Sequence, residues 1–238
     1  AKKQLHSICD KSEFFFAATK PNKFPSNYNK WKRRFYYGRD LTPEEFGCFN
    51  SHKTVLKKIV SKKILKALVL EDDFIFLDDF EKSINNLLKC SYNWELVRLL
   101  SKPKLKNKVK KTVAYLDTKY KLVRLSTAPG GAYAYIITLK GAKKLLAAMN
   151  NIWCPADLVM GQPWRTDLEI LTIMPSIASW NKSFKSAIGD DTNKNHLRFR
   201  KKQLVGWRMI LFYLTRFYFK IFEGLFRRYY FLKNYFKI

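Results

Sequence analysis

Glu71, Asp72 and Asp73 stand together behind the apolar run 67–70, "ALVL", and ahead of "FIF" at 74–76, in a chain whose formal net charge is +27. Adjacent carboxylates repel one another, and apolar neighbours raise the cost of keeping them ionised. One or two acidic residues suit a solvated turn; three between apolar segments suit a site that holds a cation. Spacing alone leaves both readings open. Gly130 and Gly131 form a second feature. Lacking a Cβ, they let the backbone approach a sugar or phosphate closely, and a plain turn explains them equally well. His52 recurs with Phe46, Phe49, Val55 and Ile59 at helical spacing, which by itself describes a satisfied, buried histidine. Asp157, ahead of Leu158, Val159 and Met160, is placed to cap a helix.

The elements that must hold these residues follow from local pattern. Residues 41–62 read as a helix, with Thr42 as N-cap, Pro43 at the first position and Glu45 completing a capping box. The all-apolar run 67–70 is expected to be a strand covered on both faces. Further helices are expected at 2–10, 78–90 and 139–150, and further strands at 13–19, 94–100, 121–125, 132–138 and 169–180. Residues 20–40 form a polar connection with a basic helical piece, and 101–111 a lysine-dense loop. Strands alternating with helices predict an α/β domain with a largely parallel sheet. From about Asn195 the chain turns basic and aromatic, with Glu223 its single acidic residue, so the domain is taken as 1–194 and the tail as 195–238. Read as a helix, the tail gathers Arg208, Arg216, Lys220, Glu223 and Arg227 in one polar arc, with apolar residues filling most of the remainder; it is expected either on an anionic membrane surface or packed on the domain's own core or a second subunit.

Composition narrows the classes. With 238 residues, 47% hydrophobic and 16% aromatic, the chain can bury a core and is no disordered basic protein. Its 46 Lys and Arg against 19 Asp and Glu require an anionic partner: nucleic acid, an acidic membrane or a phosphorylated substrate. Cys9, Cys48, Cys90 and Cys154 form no CxxC pair, and His6, His52 and His196 no His-x-x-x-His pair, so no zinc site is expected. The thiols read as reduced and mostly buried, as in a cytosolic protein. Neither a signal-peptide core nor a run of about eighteen uncharged apolar residues occurs, so neither a leader nor a membrane span is expected.

Five segments in order, "LTPEEFGCFNSH" (41–52), "ALVLEDD" (67–73), "GGAYAYIITLKGAKKLL" (130–146), "PADL" (155–158) and "SAIG" (186–189), resemble glycosyltransferase family 25. That family includes lipopolysaccharide-type sugar transferases and collagen galactosyltransferases. The resemblance covers roughly residues 13–190. It implies a GT-A-like single α/β/α sandwich that uses a nucleotide sugar and a divalent metal, Mn²⁺ or Mg²⁺. The family's opening strand, which reads like "INLxRSxxRR", has no counterpart here, so nucleotide contacts from that strand have no assignment. Ala132 stands where the family usually has Thr, a change expected to reshape the donor pocket, and Ala156 where it usually has Val.

The resemblance gives roles to the candidate residues. Asp73 is the expected direct metal ligand, with Glu71 as a second, and Glu71 or Asp72 contacting the metal through water or binding the donor. Ser51, His52, Gly130 and Gly131 are expected beside the donor pocket. Asp157 matches the family's Pro-x-Asp position and is the expected catalytic base, with Asp167 and Glu169 as alternatives. The implied function is inverting transfer of a hexose, galactose from UDP-galactose above all, onto a bacterial lipooligosaccharide. The lipid-linked acceptor would be met at the cytoplasmic face of the inner membrane, with the basic tail on anionic lipid. The competing reading is a nucleic-acid-binding basic protein without enzymatic activity. No helix-turn-helix, zinc finger or RNP-like motif supports it, so no nucleic acid is expected as a partner.

Overall fold

A computed structural model describes residues 12–15, 23–100, 103–126, 131–180 and 205–235. The helix expected at 2–10, the "SAIG" segment, Gly130 and the boundary at 190–195 lie outside these residues. Residues 13–15 of the strand expected at 13–19 carry no regular structure, and 16–19 lie outside.

The basic helical piece is α1, Lys30–Tyr37, capped by the Asn29 side chain and closed by Gly38 at φ 77°. Helix α2, Pro43–Ser61, starts where the sequence places it: Thr42 accepts from the Glu45 backbone and Glu45 reaches back to the Thr42 backbone. Strand β1, Lys66–Leu70, leads through the acidic turn to β2, Phe74–Phe76, and then to α3, Phe80–Lys89. Strands β3, Leu96–Arg98, β4, Val109–Tyr115, and β5, Lys121–Leu125, follow, then β6, Ala134–Thr138, and α4, Leu139–Ala148. Two short helices, α5, Ala156–Met160, and α6, Pro163–Thr166, precede β7, Ile170–Met174, and β8, Ala178–Trp180. Helix α7 spans Trp207–Tyr235.

The main sheet has the order β1-β6-β3-β7-β5-β4, and β2 pairs with β8 in a separate ribbon. Only the β3–β7 pairing is parallel; the other four in the main sheet are antiparallel. The α/β architecture therefore stands, but the expected largely parallel sheet does not. Strand β6 runs between β1 and β3 in the opposite sense. Its residues from Ala134 to Ile137 are buried whichever way the neighbours run, so an apolar run cannot report direction. Strand β1 is also less enclosed than expected. Among the described residues it pairs with β6 alone and its side chains are half-buried. The lysine-dense loop contains the start of β4, whose alternating pattern was hidden by the lysines an edge strand turns to solvent. The single strand expected at 169–180 is two, divided at Pro175, which has no N–H to continue a ladder.

Alternating strand residues divide the core in two. Leu96, Tyr135 and Ile137 face α2, α4 and α5 through Phe46, Phe49, Leu56, Leu145 and Met160. Val97, Ile136, Leu171 and Ile173 face α3 through Phe80, Ile84 and Leu87. This is the expected three-layer sandwich.

Helix α7 packs against this domain along one face. Phe212 and Tyr230 are buried, the Tyr230 hydroxyl donates to Leu168 O at 3.0 Å, and Thr215 donates to Phe35 O at 3.1 Å. Glu223, within the polar arc, faces the domain, bonded to Trp164 Nε1 and Arg165. A lone carboxylate among arginines and aromatics was drawn inward by partners the tail sequence does not contain. The outward face presents Ile210, Phe217, Ile221, Leu225 and Tyr229 to solvent.

Candidate functional site

Strands β1 and β3 run the same way, and β6 runs against both, so the ends of β1 and β3 meet the start of β6. His52, Glu71, Gly131 and Asp157 collect at this end, with Asp72 and Asp73 next along the turn, whereas Asp167 and Glu169 do not. Glu71 leaves β1 with its N–H on Tyr133 O at 2.8 Å. Its carboxylate meets His52 Nε2 at 3.2 Å, and His52 Nδ1 lies 3.1 Å from the Tyr135 hydroxyl. His52 is buried, as its spacing on α2 requires, but its ring is held between strand residues and the acidic turn. Cys48, one helical turn earlier, brings its sulfur into the same place: ligand atoms of Cys48, His52 and Glu71 all lie within 4.8 Å of one another. Ser51 donates to Gly47 O at 2.9 Å.

The acidic trio is divided by its surroundings. Glu71 is committed to His52, Asp72 is exposed, and Asp73 is half-buried. Burial pushes the Asp73 carboxyl above its ordinary pKa, and the neighbouring charges of Glu71 and Asp72 push it further. Asp73 Oδ1 is buried without a hydrogen-bond partner. An acceptor so placed is the position a cation would satisfy.

Asp157 does not cap its helix: the N-cap of α5 is Pro155, and Asp157 sits within the first turn. Its carboxylate accepts from Gly131 N at 3.1 Å and from Leu158 N at 2.8 Å. Gly131 has φ +83°, and a Cβ there would run into the Tyr133 ring, so the close approach to Asp157 requires glycine. Asp167 and Glu169 lie elsewhere. Asp167 pairs with Lys144 at 3.3 Å, and Glu169 is taken by Arg124 and Tyr92.

Three site residues were missed from sequence: Cys48, Arg98 and Tyr135. Arg98 ends β3 and is 4% exposed. One of its terminal nitrogens donates to Gly131 O and the other to Asp157 O at 3.4 Å, so it ties the glycine turn to α5. Burial lowers its pKa, while Asp157, Tyr135 and Glu71 favour the charged form. A guanidinium keeps its proton in such surroundings. The available signal was an arginine inside "ELVRLL", since a charge in a short buried strand must have partners. Arg98→Met keeps the stem and removes both donors. It is expected to cost about 1–3 kcal/mol by taking the donor from the half-buried Gly131 O, while Asp157 O keeps Gly161 N at 2.9 Å. A chemical denaturation curve checks this; an unchanged midpoint would contradict the tether.

Comparison with known proteins adds a lineage to this geometry. Residues 2–160 match the model of "Glycosyltransferase family 25 (LPS biosynthesis protein)". Procollagen galactosyltransferase 2 of Homo sapiens is 32% identical over 117 residues, covering 48% of this chain and 18% of that protein. Procollagen galactosyltransferase 1 of Danio rerio is 32% identical over 117 residues, covering 48% and 19%. Probable inactive glycosyltransferase 25 family member 3 of Rattus norvegicus is 32% identical over 165 residues, covering 60% and 27%. The chain thus spans less than a third of the length of these curated relatives.

Proposed function

Since the chain belongs to glycosyltransferase family 25, we propose that it is a metal-dependent inverting hexosyltransferase, taking galactose from UDP-galactose to a lipid-linked oligosaccharide of the bacterial lipooligosaccharide type. The observation that carries this reading is the pairing at one sheet end of an unsatisfied, charge-crowded carboxylate, Asp73, with a second carboxylate, Asp157, held by Gly131 and close to Arg98. Relatives named as galactosyltransferases support the choice of sugar, and a relative named inactive makes turnover the point to test.

Asp73 Oδ1 fits Mn²⁺ or Mg²⁺, which take oxygen ligands, with Asp72 within reach of the same charge field. Glu71 serves this site through its place beside His52. A divalent cation bound there neutralises the charge that gathers on a departing diphosphate. Asp157 takes the proton of the acceptor hydroxyl as that oxygen attacks the anomeric carbon. Each of its oxygens accepts one backbone N–H and keeps a further lone pair for this work. Gly131 opens the backbone beside it, and Ser51 and His52 line the donor side. A thermal-shift panel of UDP-, GDP- and CMP-sugars, each with and without Mn²⁺, is expected to show stabilisation by UDP-hexoses that depends on metal. Stabilisation by none of them would count against the reading.

The acceptor side explains the outward face of α7. No helix among the described residues is long and apolar enough to cross a membrane. Phe217, Ile221 and Leu225 are 61%, 43% and 54% exposed, one helical turn apart, in a chain of net charge +27. An interfacial helix on anionic lipid, at the cytoplasmic face of the inner membrane, would bury those side chains, with about 1 kcal/mol added by each nearby Lys or Arg. The triple substitution Phe217→Glu, Ile221→Glu, Leu225→Glu changes only the outward, largely exposed face of α7. It is expected to abolish sedimentation with anionic vesicles and leave the melting transition within about 0.5 kcal/mol of the parent. Continued sedimentation would show that lipid is held elsewhere or not by this face.

A further inference from the structure

The acidic turn contributes to two different donor sets. Asp73 offers oxygen alone, whereas Glu71 is turned toward a thiol and an imidazole. Cys48 and His52 lie four residues apart on α2, which places both side chains on one helix face. The strand residue Tyr135 steadies the imidazole from behind, at Nδ1, leaving Nε2 directed at Glu71. We propose that Cys48, His52 and Glu71 form a binding site for a borderline divalent cation of the Zn²⁺ class, separate in ligand chemistry from the oxygen site at Asp73.

Zn²⁺ takes sulfur, nitrogen and oxygen ligands at roughly 2.0–2.3 Å, which in a tetrahedron sets donor atoms roughly 3.3–3.8 Å apart. The three donor atoms already lie within 4.8 Å of one another, so closing on the ion requires movements of about 1 Å or less, within rotamer adjustment. Three protein ligands leave one position for water, since the half-buried Cys48 and Glu71 keep a path to solvent. Without an ion, Nε2–H donates to the Glu71 carboxylate; with an ion on Nε2 the ring proton would sit on Nδ1, and the Tyr135 hydroxyl 3.1 Å away would accept from it as the outer partner that a metal-bound histidine ordinarily has.

Burial pushes the Cys48 thiol up to about 12, and the nearby carboxylates of Glu71, Asp157 and Glu45 add to the shift. Without a cation Cys48 is a thiol. On binding, the thiol proton leaves to solvent, the thiolate and carboxylate together balance the ion's charge, and one proton is released per ion. Occupancy also exchanges the Glu71–His52 hydrogen bond for two metal bonds.

Co²⁺ tests this with a readout independent of sugar transfer, because a thiolate on Co²⁺ gives a sulfur-to-metal charge-transfer absorption and four-coordination gives intense visible bands. The full chain titrated with Co²⁺ is expected to show both, with one thiolate-bound ion per chain, displaced by Zn²⁺ but not by excess Mg²⁺. Cys48→Ser should lose the charge-transfer band. Tyr135→Phe should keep the band and lower affinity by roughly 10- to 100-fold. Asp73→Ala should keep the charge-transfer band, separating this site from the proposed catalytic one. Absence of the band in the parent protein, or its survival in Cys48→Ser, would overturn the proposal.

Discussion

Asp73→Ala is expected to reduce sugar transfer by roughly a thousandfold or more, the scale set by losing several kcal/mol of charge neutralisation on the departing diphosphate. The fold should persist. Asp73 is half-buried, its Oδ1 has no protein partner, and its carboxyl is made harder to ionise by burial and by Glu71 and Asp72. It therefore costs the domain stability that the alanine or the isosteric Asp73→Asn returns, and the metal-free variants should melt no lower than the parent. Loss of activity without loss of stability is the mark of a functional carboxylate. Parental turnover in Asp73→Ala with Mn²⁺ present would remove the metal from this position.

The second large effect is expected at Asp157. An asparagine there accepts at one oxygen only, so one of the two N–H partners, Gly131 or Leu158, goes unmet. That costs about 1 kcal/mol of stability. Transfer should fall by roughly a hundredfold or more, the usual contribution of a general base, while donor binding survives. Glu169→Gln is the control: its carboxylate is engaged by Arg124 and Tyr92, far from this chemistry, and its loss should tell on stability rather than on turnover. Full activity in Asp157→Asn would return the base to an unidentified group.

Much of the scaffold could be read from single residues. Thr42, Pro43 and Glu45 marked the start of α2, and the spacing from Phe46 to Ile59 marked its buried face, because capping and helical periodicity are local. The position of Glu71 to Asp73 at the end of an apolar strand was legible for the same reason. Sheet direction was not. Whether β6 runs with or against β3 depends on contacts between segments far apart in sequence, and a run such as "AYIIT" is equally apolar either way. The partners of His52 were hidden too. Tyr135 lies 83 residues away, and only the crossing of α2 over β6 brings them together. Cys48 belongs to no CxxC pair, and its four-residue spacing from His52 puts both on one helix face without showing that Glu71, from another strand, joins them. The partners of Glu223 were hidden as well: the tail sequence groups it in a polar arc with arginines and a lysine, whereas Trp164 and Arg165 of the domain bind it.

On the proposed function, this chain would move a hexose from a nucleotide diphosphate with the help of a metal at the acidic turn. The most direct measurement follows labelled galactose from UDP-galactose onto a lipooligosaccharide acceptor, with Mn²⁺ and again with a chelator, in the parent protein and in Asp73→Ala. Metal-dependent transfer with inverted configuration, lost in the variant, is the predicted result. Transfer that is indifferent to the chelator, or no galactose on the acceptor while the parent protein remains folded, would contradict it.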